Sequence, residues 1–277
     1  MTTMAWQYHA FLVLILSYTY SYLIEGCASF VIEPKSWDFK GHHIGYEEAR
    51  RINPQQVDRQ KDPILLLNGF GVGSFHQHRL IQNIFKAEEE EGRVVYGMDY
   101  LGQGRSWPVD CDDGNSENEA GLIYSADCWL DQIVEFIEKV ILPEYEGQSA
   151  RVHVVGNSVG GYLGAVLAAR RPDLVASLCL LNPTPVWGLN LPGWSGSLPP
   201  PAIPRRIGRY LFDRIRDLNT IERYLENAYF SRNAFNEELM NQIRNCTEGK
   251  GGHAAFASIL WSAPATFPAV SISFISN

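Results

Sequence analysis

The stretch VHVVGNSVGGYLGAVLAA, from Val152 to Ala169, decides the fold of this 277-residue chain. It begins as an apolar, β-branched strand, passes through a Gly-x-Ser-x-Gly turn at Gly156, Ser158 and Gly160, and continues as a helix of small residues. Such a turn holds its serine in a strained backbone conformation, and side chains at the two glycines would collide with neighbouring elements. A bare Gly-x-Ser-x-Gly occurs by chance in many chains, but between a strand and a helix it indicates a nucleophilic serine.

Apolar runs on both sides of this turn predict the rest of a sheet. Residues 36–49 alternate roughly between apolar and polar side chains, which is typical of opening antiparallel strands. Three further runs predict strands: PILLL at 63–67, RVVYGM at 93–98 and LVASLCLL at 174–181. The first and the last of these strands are expected to be buried on both faces. Cys179 in the last run is therefore expected to be a buried hydrophobic residue.

Helical patterns separate these strands. They lie at 76–87 and at 125–141, where Ser125 is the expected N-cap. Strands that alternate with helices specify an α/β fold with a mostly parallel sheet and right-handed crossovers. A serine on the strand-to-helix turn makes this the α/β-hydrolase fold.

The character of the chain changes after Asn182. Seven prolines fall between Pro183 and Pro204, and four helical patterns follow near 205–217, 219–229, 233–245 and 252–263. A helical insertion at this point is where hydrolases of this fold carry a cap over the serine. We therefore expect four parts: a signal or targeting peptide at 1–29, the first part of the hydrolase core at 36–182, a helical cap at 183–263, and a short tail at 264–277 that cannot supply the last strands of the sheet.

Composition and charge exclude several functions. The net charge of −8 and the pI of about 5.4 argue against a nucleic-acid partner. Acidic residues are concentrated at 88–91 and 110–119, which read as solvated surface segments. The five cysteines have no CxxC spacing and no metal-ligand spacing with histidine, so we expect neither a disulfide framework nor a metal site, and no cofactor is implied.

The N-terminal residues predict a signal or targeting peptide. An apolar stretch at 10–24 is short for a membrane span, and small residues follow at 26–29, as at a signal-peptidase site. The Cys-Ala-Ser-Phe junction at 27–30 resembles the cleavage motif of plastid-targeting presequences in algae with complex plastids. The expected compartment is therefore the chloroplast, reached through a signal peptide, and the alternative is secretion or the endoplasmic reticulum.

The catalytic chemistry needs oxyanion donors as well as the nucleophile Ser158. One donor is the N–H of the residue after the serine, Val159, and the other comes from the loop after an earlier strand. Asn68-Gly69-Phe70-Gly71 follows a buried strand at that place, so the Phe70 N–H is the second donor, and the flanking glycines let the backbone approach a substrate. His76 and His78 lie just beyond this loop, where either could contact substrate.

The partners of the serine are harder to find in the sequence. In this fold an acid and then a histidine follow the nucleophile. Only His253 follows Ser158, within the expected cap, where a surface or capping role is the simpler interpretation. Asn182 stands where some hydrolases of this fold place their acid, but it carries no charge. The chain as written is therefore expected to be a poor esterase.

Several strings give a closer resemblance, which runs from about residue 37 to residue 268. They are NGFGVGSFH (68–76), MDYLGQGRSWP (98–108), YSADCWLDQI (124–133), GNSVGGY (156–162), LLNPTPVWG (180–188) and HAAFASI (253–259). They resemble the pheophytinase family of α/β-hydrolases, in which a serine cleaves the phytyl ester of pheophytin during chlorophyll breakdown. One departure is Asn68, because other members often have proline or histidine at the head of the oxyanion loop.

The resemblance implies roles for particular residues. By position, Ser158 is the nucleophile and Phe70 and Val159 are the oxyanion donors, while Gly69, His76 and Trp187 are expected to contact substrate. The implied partner is a small hydrophobic ester of the pheophytin or chlorophyll type, with peripheral membrane association. Two alternatives stay open: another esterase, lipase, thioesterase or chlorophyll dephytylase on the same fold, and a catalytically inactive relative that binds a pigment or a protein partner.

Overall fold

The computed structural model describes residues 30–53, 55, 57–87, 92–106, 124–145, 149–184, 194, 196, 198, 200–248 and 252–265. The predictions for the targeting segment at 1–29, the acidic segments at 88–91 and 110–119, Trp187 and most of the tail fall outside these residues. In the described part of the chain, no helix is both long enough and apolar enough to cross a membrane.

The strands form one six-stranded mixed sheet in the order β1-β2-β4-β3-β5-β6. Their bounds are β1 Phe30–Phe39, β2 His42–Arg51, β3 Ile64–Leu67, β4 Val95–Met98, β5 Val152–Asn157 and β6 Val175–Leu181. The first two strands are antiparallel, β2 runs antiparallel to β4, and the other pairs are parallel. Leu67 of β3 pairs with Met98 of β4 and Gly156 of β5, so the carboxyl ends of these strands meet at one edge.

The helices follow the predicted pattern closely. They are α1 His78–Ala87, α2 Ala126–Phe136, α3 Val159–Arg170, α4 Ala202–Ile215, α5 Leu218–Ala228, α6 Glu237–Asn245 and α7 Gly252–Trp261. The Ser125 side chain accepts a hydrogen bond from the Cys128 N–H, which confirms the predicted N-cap. A π-helical segment, Ile137–Ile141, continues α2 to the end of the predicted helix.

The prediction for β6 was wrong about burial. Cys179 is exposed, and Leu180 and Leu181 are 41% and 38% exposed. Helix α3 covers one face of β6, while among the described residues no strand pairs with its outer edge. A run of apolar residues indicates a strand of a parallel sheet, but it cannot say whether that strand is internal or at the edge.

A buried carboxylate holds the loops at the carboxyl edge of the sheet. Asp99 follows β4 and is 1% exposed; it accepts hydrogen bonds from the Ser74 N–H at 2.6 Å and the Arg105 N–H at 2.8 Å. The Asp99 carbonyl accepts from Ser106 Oγ at 3.1 Å and from Gln132 Nε2 at 2.9 Å. Burial raises the pKa of the Asp99 carboxyl, while Arg105 and the N–H donors lower it. The Asp99 carboxylate thus ties together the segments after β3 and β4, and the Asp99 backbone carbonyl links them to helix α2.

Replacing this carboxylate should destabilise the fold strongly. Asp99→Asn places an amide N–H against donors that need an acceptor, and leaving such buried groups unsatisfied should cost about 3 kcal/mol of unfolding free energy. Asp131→Asn is the matched control, because Asp131 is 62% exposed and, within the described ranges, pairs only with Lys40 at 3.4 Å. It should cost less than about 1 kcal/mol. Denaturant titration measures both, and equal losses would contradict the role of Asp99.

Candidate active site

Ser158 lies between β5 and α3 in a strained conformation. Its φ of 52° and ψ of −119° are unusual for a residue with a side chain. Hydrogen bonds fix the turn: the Ser158 N–H donates to the Leu181 carbonyl at 3.0 Å, and the Ser158 carbonyl accepts from the N–H groups of Tyr162 at 3.2 Å and Thr184 at 3.0 Å. The serine is half-buried, and among the described residues its hydroxyl has no hydrogen-bond partner.

The two glycines of the turn are required by their neighbours. A Cβ at Gly156 would lie 2.4 Å from the Gly160 carbonyl oxygen, and a Cβ at Gly160 would lie 2.3 Å from the Leu67 carbonyl oxygen. These are backbone atoms, which cannot rotate away as a side chain can. The collisions expected from the sequence are therefore present, and they involve β3 and the first turn of α3.

The loop after β3 lies directly against the serine. A Cβ at Gly69 would be 3.5 Å from Ser158 Cβ and 3.4 Å from Asn157 Oδ1. Val159 is the first residue of α3, so its N–H has no acceptor within the helix. Among the described residues, the Phe70 N–H has no hydrogen-bond acceptor. Phe70 and Val159 therefore belong to the two segments that meet beside Ser158.

Asn68 shapes this loop, at the position where the family that the sequence resembles often has proline or histidine. It is 1% exposed, and its amide donates to the carbonyls of Gly69 at 3.0 Å and Val72 at 2.9 Å. The Gly71 N–H donates to Gln103 Oε1 at 2.6 Å, with Gly71 at a φ of 79°. The side chain of Asn68 thus folds the loop back on itself, a role that the sequence analysis did not predict.

Aromatic side chains line one flank of the loop after β3. The Phe70 ring packs against Trp129 of α2, at a centroid separation of 6.4 Å, and against Phe256 of α7, at 5.6 Å. Trp129 also stacks on Tyr100 at 4.9 Å and is fully buried. Helix α7 therefore lies over the loop beside Ser158, and the environment on this flank is apolar.

His76 lies in the wall of a cavity of about 480 Å³, together with Asn157 and Leu181. Its Nε2 is 3.1 Å from the hydroxyl of Tyr229, which follows α5. Burial lowers the pKa of the His76 imidazole, so the neutral ring is the favoured form. His78 lines the same cavity, but its Nε2 is bound to Glu47 at 2.9 Å. No pattern in the sequence points to Tyr229, which only the tertiary fold brings to His76.

The remaining candidates lie in several parts of the structure or outside the described residues. His253 is 2.8 Å from the guanidinium of Arg209, and both line a separate cavity of about 440 Å³. Asn182 is exposed, with a φ of 49°. Trp194 donates to the Trp261 carbonyl at 2.8 Å. In the ranges that the structure describes, no group of three or more acidic, histidine or cysteine side chains could hold a metal ion.

The mixed sheet and the strained serine turn are typical of one class of protein, and comparison with known families identifies the same class. The family model for the alpha/beta hydrolase fold matches residues 62–273. The chain therefore belongs to the alpha/beta hydrolase family.

Individual relatives are more distant. The chloroplastic pheophytinase of Arabidopsis thaliana is 29% identical over 228 residues, which are 71% of this chain and 45% of pheophytinase. The 2-hydroxymuconate semialdehyde hydrolase of Pseudomonas sp. is 25% identical over 203 residues, 71% of this chain and 58% of that enzyme. The chain thus spans less than half the length of the pheophytinase and less than two thirds of the second relative.

Solved structures agree with the fold. A meta-cleavage product hydrolase from Pseudomonas fluorescens has a TM-score of 0.53 at 19% identity, over 81% of this chain and 67% of that one. A hydrolase from Pseudomonas aeruginosa has a TM-score of 0.52 at 16% identity, over 82% of this chain and 71% of that one. At these identities the likeness concerns the fold alone.

The steric role of Gly160 can be separated from that of other glycines in α3. Gly160→Ala should cost about 3 kcal/mol or more, because its methyl group would overlap the backbone of β3. Gly164→Ala is the matched control in the same helix: its methyl group would meet only side-chain atoms of Leu178 and Val154, at 3.2 Å. It should change stability by no more than about 1 kcal/mol, since alanine favours the helix. Denaturant titration measures the loss of unfolding free energy in both variants. A Gly160→Ala variant as stable as Gly164→Ala would contradict the close contact.

Proposed function

We propose that this chain is a serine hydrolase of carboxylic esters of the pheophytinase type, with Ser158 as nucleophile. The observation that carries the proposal is the strained turn at Ser158, a residue that lies against the loop at Gly69 and whose hydroxyl has no hydrogen-bond partner among the described residues. Strain of this kind persists where the surrounding structure enforces it, and it is concentrated at catalytic residues.

The proposed reaction proceeds through an acyl-enzyme. Ser158 Oγ attacks the ester carbonyl carbon and loses its proton, and the N–H groups of Phe70 and Val159 stabilise the resulting oxyanion. The ester C–O bond then breaks, the alcohol leaves with a proton, and water hydrolyses the acyl-serine. Gly69, His76 and Trp187 are the proposed substrate contacts. The acid and the histidine that would activate the serine are not assigned to residues.

The proposed substrate is the phytyl ester of pheophytin. Support comes from the pheophytinase relative and from the apolar flank made by Phe70, Trp129 and Phe256. A long branched alcohol gains binding energy by burying hydrocarbon, at about 25 cal/mol per Å². In this proposal, residues 183–263 form a helical cap over the core at 36–182, and Trp187 and Trp194 belong to it. The proposed compartment is the chloroplast, reached through residues 1–29, with secretion or the endoplasmic reticulum as the alternative.

A second candidate function is pigment binding without turnover. The observation that favours it is the Ser158 hydroxyl, which no histidine or carboxylate in the described residues contacts. A serine hydrolase that lacks its base keeps only the rate that the oxyanion hole and substrate binding supply. In a comparable enzyme, removal of the base lowers turnover about 10⁶-fold. Another esterase or a chlorophyll dephytylase would share the site but differ in substrate.

Phytol release from pheophytin and from chlorophyll, compared with the hydrolysis of short acyl esters, tests the proposal. We expect slow release from pheophytin that Ser158→Ala abolishes, with pigment binding retained. Ser177→Ala is the matched control, since Ser177 is an exposed serine on β6 whose hydroxyl, among the described residues, bonds only to the His153 ring, at 2.8 Å. Equal release by the two variants would remove Ser158 from the mechanism. Binding without any release would favour the non-catalytic candidate, and faster cleavage of short esters would favour another esterase.

A further inference from the structure

Helix α4 presents an apolar stripe to solvent. Four of its side chains are strongly exposed: Ile203 at 72%, Ile207 at 54%, Tyr210 at 59% and Leu211 at 41%. Their spacing of three and four residues places them on one face of the helix. We refer to these four residues as the outer stripe. An exposed apolar face of this kind on a helix needs a partner to explain it.

The opposite face of α4 is packed, so the direction of the outer stripe is fixed. Gly208 lies against Ala257 of α7, where an added Cβ would come within 2.7 Å of the Ala257 Cβ. Phe212 is 8% exposed and packs against Phe256 of α7 at 5.8 Å. Phe256 in turn contacts Phe70 of the oxyanion loop. Helix α4 therefore lies outside α7, on the same side of the molecule as the candidate site.

The charge of α4 is opposite to that of the whole chain. Residues 202–216 contain five arginines and one aspartate, whereas the net charge of the chain is −8. Arg206 and Arg214 are exposed. The Arg214 guanidinium donates to the Tyr210 hydroxyl at 3.0 Å and lies over its ring, so a cation is held at the stripe itself. Positive charge beside an exposed apolar stripe is typical of a helix that lies in a membrane interface.

We propose that α4 binds the surface of an anionic lipid bilayer, with the outer stripe inserted among the acyl chains and the arginines at the phosphate groups. A second copy of the chain fits this face less well, because it would bring like-charged helices together. The rest of the acidic protein is repelled by such a surface, so binding through α4 orients the molecule. It directs α7 and the oxyanion loop beneath it toward the bilayer, where lipophilic esters are dissolved. The binding itself does not depend on esterase activity.

Vesicle co-sedimentation of the full chain tests this proposal. The vesicles contain phosphatidylcholine alone or phosphatidylcholine with phosphatidylglycerol, and binding should require the anionic lipid and weaken as salt is raised. Ile207→Glu and Leu211→Glu should lower the partition coefficient at least about tenfold, because each places a charge among acyl chains. Arg206→Gln and Arg214→Gln should each lower it about fivefold.

The matched control is Ile52→Glu. Ile52 is 50% exposed and directly follows β2, outside helix α4, so this variant should bind vesicles as the unchanged chain does. All variants share residues 1–29, so a contribution from that segment cancels. Circular dichroism checks that each variant is folded. Vesicle binding that Ile207→Glu, Leu211→Glu and Ile52→Glu affect equally would overturn the proposal. An absence of vesicle binding would also overturn it. The same holds if the chain does not bind vesicles but forms a dimer that Ile207→Glu dissociates.

Discussion

The contact between Gly160 and the end of β3 is the constraint on which the candidate site depends. With no side chain at this position, the first turn of α3 rests on the backbone of Leu67 and Asn68, closer than any Cβ would allow. That closeness brings Ser158 to the loop at Gly69, and Leu181 and Thr184 hold the turn from the other side. The strain at Ser158 is therefore sustained by contacts with both neighbouring strands rather than by the turn alone.

A second constraint keeps the loop after β3, which carries the proposed oxyanion donor, in place. Asn68 and Gln103 bond the loop directly, and Gln103 belongs to the turn that Asp99 organises. Gly104 adopts a φ of 56° there, and a Cβ at this position would lie 2.5 Å from the Asp99 carboxyl carbon. The loops after β3 and β4 thus form one hydrogen-bonded unit. Its rigidity matters for chemistry, because oxyanion donors act only when they are fixed before the charge develops.

The sequence predicted the local structure better than the environment of individual side chains. The Gly-x-Ser-x-Gly turn, the Ser125 cap and the four helices predicted between 205 and 263 depend on local periodicity and steric rules. The structure has them, and the first of these helices begins slightly earlier than predicted, at Ala202. The exposure of Cys179 depends on whether another element pairs with β6, and the partner of His76 lies 153 residues away at Tyr229. Contacts between distant segments leave no periodic signal, which is why these features could not be predicted.

The two faces of α7 connect the site with the surface. Phe256 contacts Phe70 on the inner side and Phe212 of α4 on the outer side, so one ring joins the oxyanion loop to the helix that carries the outer stripe. Rings packed in this way transmit displacement because a close-packed contact yields little. A force that holds α4 at a surface would therefore also hold the wall beside Ser158. In the proposed binding mode this aromatic contact joins the lipid surface to the loop beside Ser158, while the Gly160 contact with β3 keeps the serine in place.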